Sequence, residues 1–198
     1  EDQIRFQQFS TPADLAARVV AALAGVASSY SSSRGERLSF LDIGSGLGRV
    51  VATAAASGLY REVCGVELSP QMAAVSQDFI DKSRAWGAFG DRLTCEIVCG
   101  DARAVLAENG SLGRADAIFM FDKVFPLELV AALGTVLREY PWVALCACSS
   151  PSELAAAGFE VEVMRTMRVR TTGRQTFVAR VYRNKVPRGC PRPSKLIE

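Results

Sequence analysis

The sequence predicts one doubly wound α/β domain whose sheet is mostly parallel and ends in an antiparallel hairpin. Three observations predict it. Strand-like and helix-like segments alternate through most of the chain. The segment WVALCACS (142–149) is near-continuously apolar, as a strand buried on both faces is. FEVEVMRTMRVR and QTFVARVYR alternate apolar with polar residues around the turn-like TTGR, as two strands at a sheet edge do. Taken in order, helical spacing runs from Pro12 to about Ala24, with Thr11 as N-cap before a first-turn proline. SSYSSSRGE (28–36) is a polar linker, and LSFLDI (38–43) is the first strand. Gly44 to Gly48 form a glycine-rich turn that opens a helix through Ala56. EVCGVEL (62–68) is the second strand, and a helix follows from Pro70 to about Trp86. LTCEIVCGD (93–101) is the third strand and DAIFMFD (116–122) the fourth. A helix from Pro126 to about Arg138 leads to the fifth strand and the hairpin.

At 198 residues, with 49% apolar and 22% charged residues, the chain suits one globular domain and excludes a disordered one. No apolar run approaches the roughly 20 residues that span a bilayer, so no membrane partner is expected. The chain begins at Glu1 rather than Met, from which a trimmed or processed N-terminus is expected. The six cysteines sit mostly in apolar stretches at spacings that match no zinc module, which points to reduced thiols in an intracellular compartment. The chain has no histidine, which removes Ser-His-Asp and Cys-His catalysis and histidine-based zinc hydrolysis. Charge is unevenly placed. Through Met164 there are 13 Lys and Arg against 20 Asp and Glu; from Arg165 onward there are ten against one. Such a basic C-terminal segment on an acidic body fits a polyanionic partner, or equally a solvated strand face and tail.

Three carboxylates mark a ligand site. Asp42 precedes the turn Gly44-Ser45-Gly46-Leu47-Gly48, where glycines let the backbone approach a ligand in front of a helix N-terminus. A dinucleotide fingerprint would place its third glycine at the position held by Arg49, so the spacing argues against an NAD-dependent dehydrogenase. An acid followed by GxGxG instead resembles the first motif of S-adenosylmethionine enzymes, where Asp42 would meet the ammonium of the methionine moiety. Glu67 ends the second strand, placed to accept two ribose hydroxyls, and Asp101 ends the third, where this class contacts the adenine amine. One such acid is explained by capping the following helix; three at successive strand ends on one sheet edge are not.

Longer segments carry a closer resemblance. FLDIGSGLGRVV, GVELSP, DFIDKSRAWG, the CGD strand end, AIFMFDKVFP and RVRTTGRQTFVARVYR resemble the disruptor-of-telomeric-silencing family, histone lysine methyltransferases without a SET domain. The resemblance spans Thr11 to Arg183. It implies the Rossmann-like seven-stranded methyltransferase fold, S-adenosylmethionine as cofactor, a nuclear chromatin regulator, and a lysine in the core of nucleosomal histone H-three as acceptor. It further implies that Thr11 contacts the methionine carboxylate. Asp42, Gly44 and Gly46 would hold the methionine moiety, Glu67 the ribose and Asp101 the adenine, with Ser45, Leu68 and Ala102 beside them. Arg49 would reach the cofactor carboxylate. Asp122 falls at the second asparagine of the family's N-N-F-x-F motif, beside the transferring methyl, as positioning residue or base. Phe125 would wall the lysine channel, with Phe9 behind it. The chain departs from the family at Gln8 to Thr11, where tyrosine-glycine-glutamate is usual, at the asparagine pair, here Phe121-Asp122, and at the hairpin tryptophan, here Thr171.

On this reading residues 1–27 are an N-terminal segment and helix flanking the cofactor, 28–37 a linker, 38–185 the methyltransferase core and 186–198 an irregular basic tail. The basic C-terminal segment would contact DNA phosphates. Transfer of methyl from a sulfonium needs no general acid, so a histidine-free chain can run it by alignment in a closed channel. Two alternatives stay open: a methyltransferase for RNA, another protein or a small molecule, and a cofactor-binding module without turnover.

Overall fold

The structure, a computed structural model, describes residues 12–30, 38–108, 112–170 and 176–186. Its strands are β1 (Leu38–Ile43), β2 (Tyr60–Glu67), β3 (Thr94–Cys99), β4 (Ala117–Met120), β5 (Ala144–Ala147), β6 (Val161–Arg170) and β7 (Thr176–Asn184). Its helices are α1 (Pro12–Tyr30), α2 (Arg49–Ala56), α3 (Pro70–Ala85), α4 (Ala102–Glu108), α5 (Leu127–Leu137) and α6 (Pro151–Ala156). The seven strands form one sheet in the order β3-β2-β1-β4-β5-β7-β6. β1 to β5 run parallel, and β7 runs antiparallel between β5 and β6. The expected fold class is therefore the observed one.

Strand periodicity divides the core into two layers. Leu38 and Phe40 of β1 face α1, α2 and α3, together with Val63, Ala117, Cys146 and Val181. Leu41 and Ile43 face the other side, where Leu106 of α4, Leu133 of α5 and Leu154 of α6 cover Ile118 and Leu145. Buried polar groups pin the strands where burial alone would leave freedom. The Asp116 carboxylate accepts from the Ser39 amide and hydroxyl, both at 2.8 Å, and the Tyr60 hydroxyl donates to the Val20 carbonyl at 3.0 Å.

Three features differ from the sequence expectation. α1 continues past Ala24 to Tyr30, so the linker begins later than residue 28. The Ser29 hydroxyl donates back to the Gly25 carbonyl at 2.8 Å, and the Arg183 guanidinium stacks 4.5 Å above the Tyr30 ring, which anchors the end of the helix to β7. α4 and α6 are further helices, too short to show a helical period in the sequence. α6 has a capping box between Ser150 and Glu153 with Pro151 in its first turn. β5 keeps only Ala144–Ala147, because the next two amides, of Cys148 and Ser149, bond to a carboxylate and leave the ladder.

Cys64, Cys95, Cys146 and Cys148 are buried. Burial pushes the Cys64 and Cys148 thiols up to about 12 and Cys95 to about 11, so they act as small hydrophobes. No described helix is long and apolar enough to cross a membrane, and the described residues hold no cluster suited to a metal ion.

Candidate active site

β1 and β4 are neighbours, yet β1 connects onward to β2 on its other side, so the crossovers diverge and leave a crevice at the C-terminal strand ends. The chain leaves β1 through Gly44, Gly46 and Gly48, at φ of 75°, 55° and 70°, a region glycine enters without penalty. The amides of Gly44 and Ser45 both donate to the Val66 carbonyl, at 2.8 and 3.0 Å, which folds the loop back onto β2. At Gly48 a Cβ would stand 2.0 Å from the Ser76 hydroxyl, so glycine also permits α2 to start against α3.

Glu67 closes this loop. One carboxylate oxygen accepts from the Gly46 amide at 2.7 Å and the other from the Ser69 amide at 2.9 Å. The glycine loop and the start of α3, which Ser69 caps, are thus held by one side chain. Beside it lies a cleft of about 550 Å³, lined by Gly44, Gly46, Glu67, Leu68, Asp101 and Phe125 among others. That volume suits a cofactor-sized ligand.

The expected residues take distinct places. Asp42, two residues before Gly44 on β1, is not among the residues that line the cleft; it is 2% exposed, and burial with the nearby charge of Glu67 pushes its carboxyl up to about 8. It has no ion-pair partner among the described residues. Asp101 stands at the cleft wall, where hydrogen bonds from the Arg103 side chain and amide hold its carboxyl down at about 2. Ala102, first residue of α4, and Leu68, 69% exposed on the lip, also line the cleft. The Ser45 side chain turns inward, where a Cβ on Gly65 would stand 2.7 Å from its hydroxyl, and Ser45 does not line the cleft. Phe125 covers the glycine loop, its ring edge 2.9 Å from where a Gly44 Cβ would be.

Two residues are placed otherwise than expected. Arg49 lines a second cavity, of about 790 Å³, between α1, α2 and α3, away from the cleft. As first residue of α2 it shares a face with Thr53, one turn on, which lines the same cavity. Asp122 lies at the sheet edge, but its carboxylate is buried and accepts from the Cys148 amide at 2.6 Å and the Ser149 amide at 3.0 Å. Two backbone donors hold it and tie the exit of β4 to the exit of β5, so in this arrangement it positions the loop that carries Phe125. Thr11 lies outside the described residues, as does Phe9.

Met72, Arg103, Val124 and Glu128 line the cleft without having been singled out. A signal existed for two of them: Met72 sits in the first turn after the Ser69-Pro70 cap, and Arg103 two residues after Asp101.

The donor set fits S-adenosylmethionine. Asp42 is a buried carboxylate without a cation, suited to an ammonium; Glu67 already accepts from N–H donors and suits vicinal hydroxyls; Asp101 suits an amine. A family model described as a methyltransferase domain matches residues 41–140. No curated protein matches the sequence. Similar solved structures include magnesium protoporphyrin IX methyltransferase from Synechocystis PCC 6803 with bound S-adenosylmethionine, at 16% identity and TM-score 0.59 over 92% of this chain and 88% of that one. An RNA methyltransferase from Salinibacter ruber with S-adenosyl-L-homocysteine follows at 19% identity and TM-score 0.55, over 92% and 97%. The m1A22 tRNA methyltransferase TrmK of B. subtilis is 13% identical with TM-score 0.57, over 89% and 67%. The family model spans half the chain and includes the glycine loop, Glu67, Asp101 and Phe125: the chain belongs to the methyltransferase-domain family and is an S-adenosylmethionine-dependent methyltransferase.

Proposed function

We propose that the chain transfers the methyl group of S-adenosylmethionine to a nitrogen of an RNA base. The observation that carries this reading is the acceptor wall beside Gly44, which is largely apolar and behind which the Asp122 carboxylate is held by two backbone amides. Phe125 packs on the loop, Val124 is 75% exposed at the mouth, and the Asp122 carboxylate accepts from two amides. A nucleobase nitrogen is neutral at pH 7 and offers a flat face to such a wall. A lysine must first lose a proton, at a cost of about 4–5 kcal/mol at neutral pH. The Salinibacter ruber and B. subtilis enzymes, which share the fold, bear the names of an RNA and a tRNA methyltransferase and lend support.

When bound, the cofactor supplies a methyl group on a sulfonium and leaves as a neutral thioether. An acceptor nitrogen would take that methyl with its lone pair, the carbon–sulfur pair would stay on sulfur, and any surplus proton would pass to water. The protein's part is alignment and exclusion of water: Glu67 fixes the glycine loop, Asp42 and Asp101 hold the two ends of the cofactor, and Phe125 limits the acceptor's approach.

The second reading is the nuclear histone-lysine methyltransferase implied by the sequence resemblance. The same phenylalanine favours it, since an apolar wall lowers a lysine pKa by desolvation. Contact of the basic tail with nucleosomal DNA belongs to this reading. Label transfer from S-adenosylmethionine to tRNA, total RNA, nucleosomes and free histones separates the two, with Asp42→Ala as control. Nuclease-sensitive label that is lost in the variant is expected. Label on a nucleosomal histone instead would move the assignment to lysine, and cofactor binding without label anywhere would leave a binding module.

A further inference from the structure

The hairpin reaches beyond the sheet it closes. β5 pairs with β7 only from Ala144↔Arg183 to Ala147↔Arg180, whereas β6 and β7 stay paired out to Arg170↔Thr176. Four further residue pairs therefore extend past β5, about 14 Å at roughly 3.4 Å per residue. Because β7 opposes β5 in direction, this overhang lies on the C-terminal edge of the parallel strands, the edge of the glycine loop and Phe125. It is braced there: Phe177 meets Phe121 edge-on, with ring centroids 5.3 Å apart.

One face of the overhang, with Met167 and Ala179, is buried in the core. Residues paired across the ladder share a face, so Arg168 with Val178, and Thr166 with Arg180, form the opposite one. Arg168 is exposed, and Arg180 donates to the Cys148 carbonyl at 3.1 Å, which brings it to the turn after β5. Lys123, also exposed, directly follows Asp122, whose carboxylate accepts from the Cys148 amide at 2.6 Å, so it stands at the same turn. Arg168, Arg180 and Lys123 thus run from the overhang to Val124 and Phe125 at the cleft mouth. The acids near them are engaged: Asp122 by two amides, Glu153 by the Ser150 amide at 2.5 Å, and Glu162 by Arg183. Arg168 and Lys123 have no ion-pair partner among the described residues. From Arg165 to Lys185 the sequence holds seven Lys and Arg and no Asp or Glu. Charge on an edge strand also deters strand pairing, but Arg180 is on the inner strand β7 and Lys123 follows β4, where that purpose is absent.

We propose that Arg168, Arg180 and Lys123 form a track that docks the phosphodiester backbone of the RNA acceptor and leads its target base to Phe125. This rests on the RNA reading above. Electrostatic tracks of this kind set affinity and orientation, and leave the choice of base to the cleft.

The test uses the full chain with a labelled tRNA transcript and a DNA duplex of equal length, by fluorescence anisotropy between about 50 and 200 mM salt. The double variant Lys123→Glu with Arg168→Glu is expected to bind RNA at least tenfold more weakly, with a salt slope shallower by roughly 1–2. Its affinity for S-adenosylmethionine should match the wild type, which shows that it folds. Wild-type affinity and slope in the variant, or duplex DNA held as tightly as RNA, would overturn the proposal. If the wild type binds RNA through these residues but transfers no methyl to it, the docking track stands and the RNA-acceptor reading falls. If it methylates RNA and the variant binds and methylates equally well, the track falls and the acceptor reading stands.

Discussion

Replacing Asp42 by asparagine should make the cofactor-free protein more stable while weakening its grip on the cofactor. Asp42 is almost fully buried, and burial followed by the Glu67 charge raises its carboxyl from 3.8 to about 8. An acid with a raised folded-state pKa contributes stability that is fully present below the unfolded pKa, near 3.8, and is lost as pH climbs toward 8. At 1.36 kcal/mol per unit the loss is about 1–2 kcal/mol by pH 5 and about 4 kcal/mol by pH 7. Asparagine has the same shape and no proton to lose, so its advantage over the wild type should grow by those amounts. Urea unfolding of both proteins without cofactor at pH 5, 6, 7 and 8 reads the difference, since titrating groups not coupled to Asp42 cancel between them. Calorimetry on the same pair should show cofactor binding weakened about 10- to 100-fold, because a charge-assisted contact of about 1.5–3 kcal/mol is lost. A stability difference that stays constant across this pH range would refute the buried, raised-pKa account of Asp42. So would an asparagine variant less stable than the wild type at pH 8.

The other expectations follow from single contacts. Glu67→Ala frees the Gly46 and Ser69 amides, and should cost about 2–3 kcal/mol in urea unfolding and at least tenfold in cofactor affinity. Asp122→Ala strands the Cys148 and Ser149 amides and should cost about 2–3 kcal/mol with a fall in kcat. Asp122→Asn keeps an acceptor oxygen and should recover much of both; equal inactivity of the two variants would restore Asp122 as a base. In Gly134→Ala the new Cβ would stand 1.9 Å from the Ala157 carbonyl oxygen. α5 must then move off the turn after α6, lowering stability by about 1–3 kcal/mol in thermal unfolding while cofactor affinity holds.

Local chemistry made much of this protein legible in the sequence. Strand cores such as LSFLDI announce themselves because both faces are buried, and their ends are marked by an acid or a glycine. Asp42, Glu67 and Asp101 could be placed on one edge from the sequence because parallel strands bring equivalent ends together. Short helices are less visible: α4 and α6 have seven and six residues, too few for a periodic signal, although the Ser150-Glu153 capping box was there to be read. What only the tertiary structure decided is where side chains point once strands are side by side. Asp122 finds its partners 26 and 27 residues away, just past the end of the next strand, so an acid at the acceptor motif becomes a bracket. Arg49, one residue past the last glycine of the loop, turns with its helix into a different cavity. The overhang of the β6–β7 hairpin depends on how far β5 pairs, which the Asp122 carboxylate ends by taking the Cys148 and Ser149 amides. Sequence periodicity reports which residues are buried together; the direction of a polar side chain follows from donors distant in the chain, and those meet only in the folded protein.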